Sequence, residues 1–280
     1  MTQALSLGPV VLPLALLVLL AALALGGLVA RLLARRAIAH ARRTLWQALL
    51  AGLLGARALY VLRYRGGYLE TPLSVLDLRD GGWDAQGGFV VAWIYGLAAA
   101  HGRRALRRPV VGALATATLA WGAGAVALAL QRTPAPTLAQ GAARALVPAD
   151  GAGGLAAFAG KPAVVNLWAT WCPPCRAELP MLARAQAAHP ELHFVFIDQG
   201  EGRAAVDGYL AASRLVLRNV LLDPRSEAGR AWGGVGLPTT LYFDAQGRLV
   251  GSHLGELSTG SLAEGLARLQ AAPAASAPAR

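Results

Sequence analysis

The chain has 280 residues, 55% of them hydrophobic and 15% charged, with a mean hydropathy of +0.46, too apolar for an ordinary soluble enzyme and too long for a bare membrane anchor. Its net charge of +11 is concentrated in residues 1–132, which hold fourteen Arg against Glu70, Asp77, Asp80 and Asp84, while residues 133–280 hold twelve basic residues against eleven acids. Arg clusters flanking apolar runs are a membrane-topology pattern, and nucleic-acid binding, which needs a basic face on a soluble domain, is excluded.

Residues 9–30 (PVVLPLALLVLLAALALGGLVA) carry no charge over 22 positions, enough to cross about 30 Å of hydrocarbon. No Lys or Arg precedes them, whereas Arg31, Arg35, Arg36, Arg42 and Arg43 follow. A signal peptide has the opposite charge order, so this reads as an uncleaved span with its N-terminus outside. Thr44–Leu62 is a second candidate, interrupted by Arg57. Gly88–Ala100 is a short third, and Pro109–Leu130 an uncharged fourth. The first connection and residues 101–108 (HGRRALRR) hold the two Arg clusters, and the positive-inside rule places both in the cytoplasm. That requires four spans and both ends outside. Arg57, toward the outer end of its span, has two readings: an intramembrane functional charge, or a side chain snorkelling to the headgroups.

Residues 131–154 are rich in Ala, Pro and Gly and read as a spacer. Then come alternating patterns: apolar runs suited to strands at 163–169, 193–197 and 219–223, helices at 173–188 and 203–213, and a helical turn near 225–232. A hairpin over 239–244 and 248–254 and a helix over 258–270 complete a small α/β sheet domain. The expected organisation is an α-helical membrane domain of about four transmembrane helices over 1–132, a linker over 133–154, the α/β domain over 155–270 and a disordered tail over 271–280.

The only cysteines, Cys172 and Cys175, are spaced C-x-x-C where a strand runs into a helix. A cysteine at a helix N-terminus meets unpaired N–H groups and the positive dipole end, which favour the thiolate. Cys172 is therefore the expected nucleophile and Cys175, one turn along and more covered, the resolving thiol. Pro173 and Pro174 restrict the loop and remove two N–H donors. A structural zinc site needs four ligands, and this chain has neither a second C-x-x-C nor a spaced His pair; His40, His101, His189, His193 and His253 are scattered. No metal or other cofactor is expected for redox work, although two thiolates also suit Cu(I).

The segment AGLLGARALYVLRYRGGYLETPLSVLDLRDGGWDAQGG resembles prolipoprotein diacylglyceryl transferases, through Gly55, Arg57, Tyr60, Val61, Leu62, Tyr64, Pro72, Leu73, Gly81, Gly82, Gly87 and Gly88. Where that family has the histidine of an H-G-G motif this chain has Gln86, and the later Gly-Arg-x-x-N-F-x-x-G-E signature is absent. Glutamine is neither acid nor base near neutral pH. This half therefore looks like a degenerate relative serving as an anchor or docking platform in contact with membrane lipid, with Arg57 and Gln86 its candidate positions.

The second half, through N166-L-W-A-T-W-C-P-P-C-R-A-E-L-P180, resembles the thioredoxin superfamily and within it the membrane-tethered TlpA/ResA/CcmG-like disulfide reductases. The resemblance implies a thioredoxin-like fold, a redox disulfide between Cys172 and Cys175, and a protein disulfide as substrate. It implies a cis-proline at Pro238, flanked by Leu237 and Thr239, whose segment pairs with the substrate chain. Trp171 reads as an apolar rim around the sulfur and Trp168 as core packing, Pro173 joins Trp171 among the substrate-binding positions, and Pro180 matches the proline that kinks the family's active-site helix. Glu178 matches an acid beside the dithiol, able to raise thiol pKa values or take the proton from Cys175; the competing reading is an exposed helix Glu paired with Arg. The expectation is a multi-pass protein of the bacterial inner membrane with its dithiol domain in the periplasm, reducing protein disulfides. With no cysteine in 1–132, a separate transmembrane thiol donor must supply electrons. The alternatives are a Cu(I) metallochaperone and a lipoprotein diacylglyceryl transferase.

Overall fold

The computed structural model describes residues 4–7, 10–34, 38–69, 75–76, 80–131, 137–139, 146–148, 155–232 and 236–271. They form two compact units: one from Thr2–Arg65 and Gly82–Thr133, the other from Pro134–Arg280 together with Gly66–Gly81 and Met1.

In the first unit, strands β1 (Ala4–Leu7) and β2 (Val10–Pro13) pair antiparallel. Helices α1 (Leu14–Leu33) and α2 (Ile38–Arg63) follow, then the short α3 (Arg65–Leu69), which opens the segment assigned to the second unit. Helices α4 (Ala85–Ala100) and α5 (Arg104–Leu130) complete the first unit. The span expected over 9–30 thus begins at Leu14. Pro13 lacks an N–H and ends a strand instead of sitting inside a helix. Helix α1 packs on α5, and α2 on α4. The α2–α4 approach depends on two facing glycines: a Cβ at Gly52 would lie 2.9 Å from the Gly88 carbonyl oxygen, and one at Gly88 the same distance from that of Gly52. Polar links tie α4 to its neighbours, Trp93 Nε1 donating to Thr118 Oγ1 at 3.0 Å and Tyr95 Oη to Gln47 Oε1 at 3.0 Å.

Among the described residues, three helices are long and apolar enough to cross a membrane: α1 with 20 residues, α2 with 26 and α5 with 27. The expected fourth span is a helix, but α4 has only 16 residues. It measures roughly 24 Å against a hydrocarbon core of about 30 Å. Asp84 caps its start, accepting the Gly87 N–H at 2.8 Å, and a turn at His101–Gly102 with φ +72° at Gly102 ends it before the Arg cluster.

The second unit is a six-stranded mixed sheet in the order β3-β6-β5-β4-β7-β8. Its strands are β3 (Val147–Pro148), β4 (Ala163–Trp168), β5 (His193–Gln199), β6 (Val220–Asp223), β7 (Thr239–Phe243) and β8 (Leu249–Leu254). Strands β4, β5 and β6 are parallel, while β7, β8 and β3 run antiparallel to their neighbours. The helices are α6 (Pro173–Ala188), α7 (Arg203–Ser213), α8 (Glu227–Ala231) and α9 (Thr259–Ala271).

The continuous apolar runs of β4 and β5 arise because both faces of these central strands are covered. Alternate residues serve two cores. Val164, Trp168, Phe194 and Phe196 pack with Leu179 and Leu182 of α6, Val206 of α7 and Leu262 of α9. Val165, Leu167, Val195 and Ile197 pack with Leu155, Phe158, Ala228 and Trp232.

Two pieces of the stretch expected as a linker are built into this unit. Val147–Pro148 adds an edge strand to β6, where a proline's missing N–H costs no ladder bond. Thr137 bridges to Arg248, its carbonyl accepts from Trp232 Nε1 at 3.1 Å, and Leu138 is buried. Of the tail expected over 271–280, Ala271 closes α9 and the rest lies outside the described residues.

Helix α9 approaches the sheet through Gly265, where a Cβ would be driven into the ring of the buried Tyr242. Gly265→Ala is expected to destabilise this unit by about 2 kcal/mol through overpacking. A lowered tryptophan-fluorescence melting temperature checks it.

Candidate active site

Strand β4 is buried along its whole length and delivers Ala169-Thr170-Trp171 to the start of α6. Cys172 is the N-cap of that helix, with extended backbone (φ −92°, ψ 106°), and Pro173 opens its first turn. The fixed φ of proline suits that position, and its missing N–H would have been unpaired there anyway. Cys172 and Cys175 are joined as a disulfide, with Cα atoms 5.3 Å apart. The Cys175 N–H points at Cys172 Sγ, 3.3 Å away, so a helix-terminal donor lies where a thiolate would form after reduction. Cys175 is fully buried and Cys172 nearly so, while Trp171, immediately before the pair, is 66% exposed. Trp168 is buried, its ring 5.7 Å from that of Tyr209, over which the Arg176 guanidinium also lies.

Glu178 is 2% exposed, which removes the reading of a surface Glu paired with Arg. Its Oε1 accepts from Asn166 Nδ2 at 2.8 Å, and its Oε2 from the backbone N–H of Leu257 at 2.7 Å. Asn166 Nδ2 also reaches Thr240 Oγ1 at 3.0 Å. Burial pushes the Glu178 carboxyl up to about 7, against the two hydrogen bonds that favour its ionised form; the nearby Glu256 adds a smaller upward push. Tyr242, fully buried, is raised by desolvation and by the charge of Glu178.

A second acidic pair holds the loop ahead of the cysteines. Glu201 accepts from the backbone N–H and the hydroxyl of Thr170, both at 2.6 Å, and its own N–H donates to Asp198 Oδ1 at 3.1 Å. Asp198 is buried at the end of β5 and pushed up to about 8, chiefly by desolvation and then by Glu201. The sequence reading passed over both residues; the signal was a carboxylate closing an apolar strand, at the carboxyl edge of a parallel sheet where functional groups gather.

Leu237–Pro238 is a cis peptide bond. Pro238 is buried and its carbonyl accepts the Gly255 N–H at 2.9 Å, while Thr239 Oγ1 donates to the Gly236 carbonyl at 2.6 Å. Leu237 packs against the core cluster that contains both cysteines.

In the first unit, Arg57 is buried and donates to the Gly82 carbonyl at 2.9 Å, and Gln86 is exposed on α4. The buried Arg57 thus holds a backbone turn ahead of α4.

Residues 150–267 match the Redoxin family model. The C-terminal half is a thioredoxin-like domain. Residues 3–132 match the Prolipoprotein diacylglyceryl transferase family model, so the chain joins this Redoxin domain to a transferase-like helical region. The DsbE homolog of Paracoccus denitrificans, a thiol:disulfide interchange protein, is 37% identical over 94 residues, covering 34% of this chain and 51% of that protein. The thiol-disulfide oxidoreductase ResA of Bacillus cereus is 28% identical over 114 residues, covering 40% of this chain and 65% of that one. A solved thiol:disulfide interchange protein of the thioredoxin family from Chlorobium tepidum superposes with a TM-score of 0.41 at 29% identity, covering 51% of this chain and 97% of that one. The chain spans between about half and two thirds of the length of these two curated relatives.

Because burial raises its pKa, Glu178 binds a proton more tightly in the folded than in the unfolded Redoxin domain. Its stabilising contribution is complete below an unfolded value near 4.5 and is lost as pH rises through about 7. Glu178→Gln is expected to flatten the fall in stability between about pH 5 and pH 8 by about 3 kcal/mol at most, leaving the same-signed slope of Asp198. Thermal melts across that range check it.

Proposed function

We propose that this chain is a membrane-anchored thiol–disulfide oxidoreductase that reduces protein disulfides outside the bacterial inner membrane. The observation that carries the reading is the Cys172–Cys175 disulfide at the N-terminus of α6, with the buried Glu178 one turn beyond Cys175. The disulfide is the spent form. In the reduced form, the Cys172 thiolate attacks one sulfur of a client disulfide; the client's S–S bond breaks and its leaving thiolate takes up a proton. Cys175, its proton passed to the Glu178 carboxylate, then attacks Cys172 Sγ. That step frees the second client thiol and closes the Cys172–Cys175 bond. Two electrons pass from the dithiol to the client.

Trp171 offers the client an exposed apolar surface beside the nucleophile, and the Leu237–Thr239 segment forms the adjoining wall. Re-reduction requires a second two-electron exchange. Residues 1–132 contain no thiol, so we assign it to a separate transmembrane dithiol carrier. The Arg clusters around the α1–α2 junction and at the start of α5 favour a cytoplasmic side for both. The Redoxin domain then lies on the opposite face, an arrangement that requires the short α4 to cross as a fourth span, with the transferase-like region in contact with lipid.

The test is turnover of a disulfide-bonded protein by the purified full chain. Cys172→Ser is expected to lower it about a thousandfold or more, and Cys175→Ser to accumulate a client adduct of stoichiometric mass. A reduction potential of about −250 mV or below supports the reductive direction, and one near −120 mV reverses it. Stoichiometric Cu(I) binding without disulfide turnover overturns the reading in favour of metal handling.

A further inference from the structure

The segment Gly66–Gly81 connects two helices of the transferase-like region, yet it belongs to the same compact unit as the Redoxin domain. Its contacts there are specific. Asp80 is 3% exposed, and its Oδ2 accepts from Tyr68 Oη at 2.7 Å and from Ser258 Oγ at 3.1 Å. Tyr68 is equally buried and lies over Gly260, where any side chain would collide with its ring. Gly81, at φ +65°, turns the chain immediately after Asp80, with His253 alongside.

Ser258 immediately precedes α9. Its Oγ accepts the Ser261 N–H at 3.1 Å, and its own N–H donates to Ser261 Oγ at 2.9 Å, a reciprocal cap. A serine hydroxyl has one proton to give. When the Asp80 carboxylate takes it, a lone pair of the oxygen faces the Ser261 N–H and the turn is fixed. The residue before Ser258 is Leu257, whose N–H holds Glu178 Oε2. One peptide unit therefore separates the Asp80 contact from the Glu178 contact.

We infer that Asp80, supplied by the transferase-like half, is a positioning residue for the dithiol site: through Ser258 it holds the Leu257 N–H against the Glu178 carboxylate and so sets the proton affinity of that group. The inference rests on the role given above to Glu178. Among the described residues, the other ionisable groups set against Glu178 include Glu256 and the buried Tyr242 hydroxyl, and those beside Asp80 include Tyr68 and His253. The Leu257 N–H bond favours the ionised carboxylate, so loosening it moves the proton affinity of Glu178 upward. A membrane-loop residue thereby acts on the redox chemistry without touching a sulfur atom.

The experiment uses the reduced full chain and follows the pH dependence of cysteine alkylation. Glu178→Gln identifies the inflection that Glu178 sets near pH 7. Asp80→Ala is expected to move that inflection upward by about half a pH unit, roughly a three-fold change in proton affinity. Tyr68→Phe, which keeps the ring over Gly260, is expected to move it less in the same direction. In the Glu178→Gln background Asp80→Ala should change nothing. An unmoved inflection in both Asp80→Ala and Tyr68→Phe overturns the inference, as does an equal shift with and without Glu178. Alkylation needs only reduced thiols, so absence of client turnover in the wild-type chain would count against the proposed function and leave this inference to be read separately.

Discussion

A carboxyl group removed from water is the constraint around which the dithiol site is arranged. Ionising Glu178 in its buried position costs free energy, and two donors, Asn166 Nδ2 and the Leu257 N–H, recover part of it. Those donors come from a central strand and from the turn that opens the last helix, so the protonation state of one side chain depends on the sheet, α6 and α9 keeping their relative places. Close packing maintains that: Leu179, Leu182, Leu257 and Leu262 form one cluster with both cysteines.

The Redoxin half was legible where its signals are local. Apolar runs bounded by turn residues located β4, β5, β6 and the β7–β8 hairpin, and the C-P-P-C sequence located the helix start, because N-cap geometry and proline preference act over a few residues. Glu178 was singled out by the resemblance to ResA-like reductases, which have an acid at that place one turn beyond the second cysteine. Its environment was not legible, since Leu257 lies 79 residues away and no local pattern encodes the pairing. The Asp198–Glu201 clamp on Thr170 escaped for the same reason. Composition misled at residues 133–154, where the apolar Leu138 and Val147 among Ala, Pro and Gly are enough to join the sheet edge.

In the transferase-like half, hydropathy located four apolar helices but did not fix their ends. Pro13 moved the first start to Leu14, and Asp84 advanced the third start to Ala85 by capping it. Small residues matter more to this unit than its hydropathy indicates. Gly52 and Gly88 let two backbones approach to a distance that any side chain would prevent, and in a lipid-like medium such packing replaces the hydrophobic driving force. Arg57, singled out by its charge, donates to a backbone carbonyl.

The Cys172–Cys175 bond has a further consequence for how the chain matures. Two cysteines three positions apart allow a single intramolecular pairing within these 280 residues. Oxidative folding therefore has no scrambled isomers to sort, and a disulfide isomerase has no mispaired monomer to correct. Any other covalent sulfur link must join the chain to a second molecule, so a non-reducing gel separates the resting protein from every covalently captured client by mass alone.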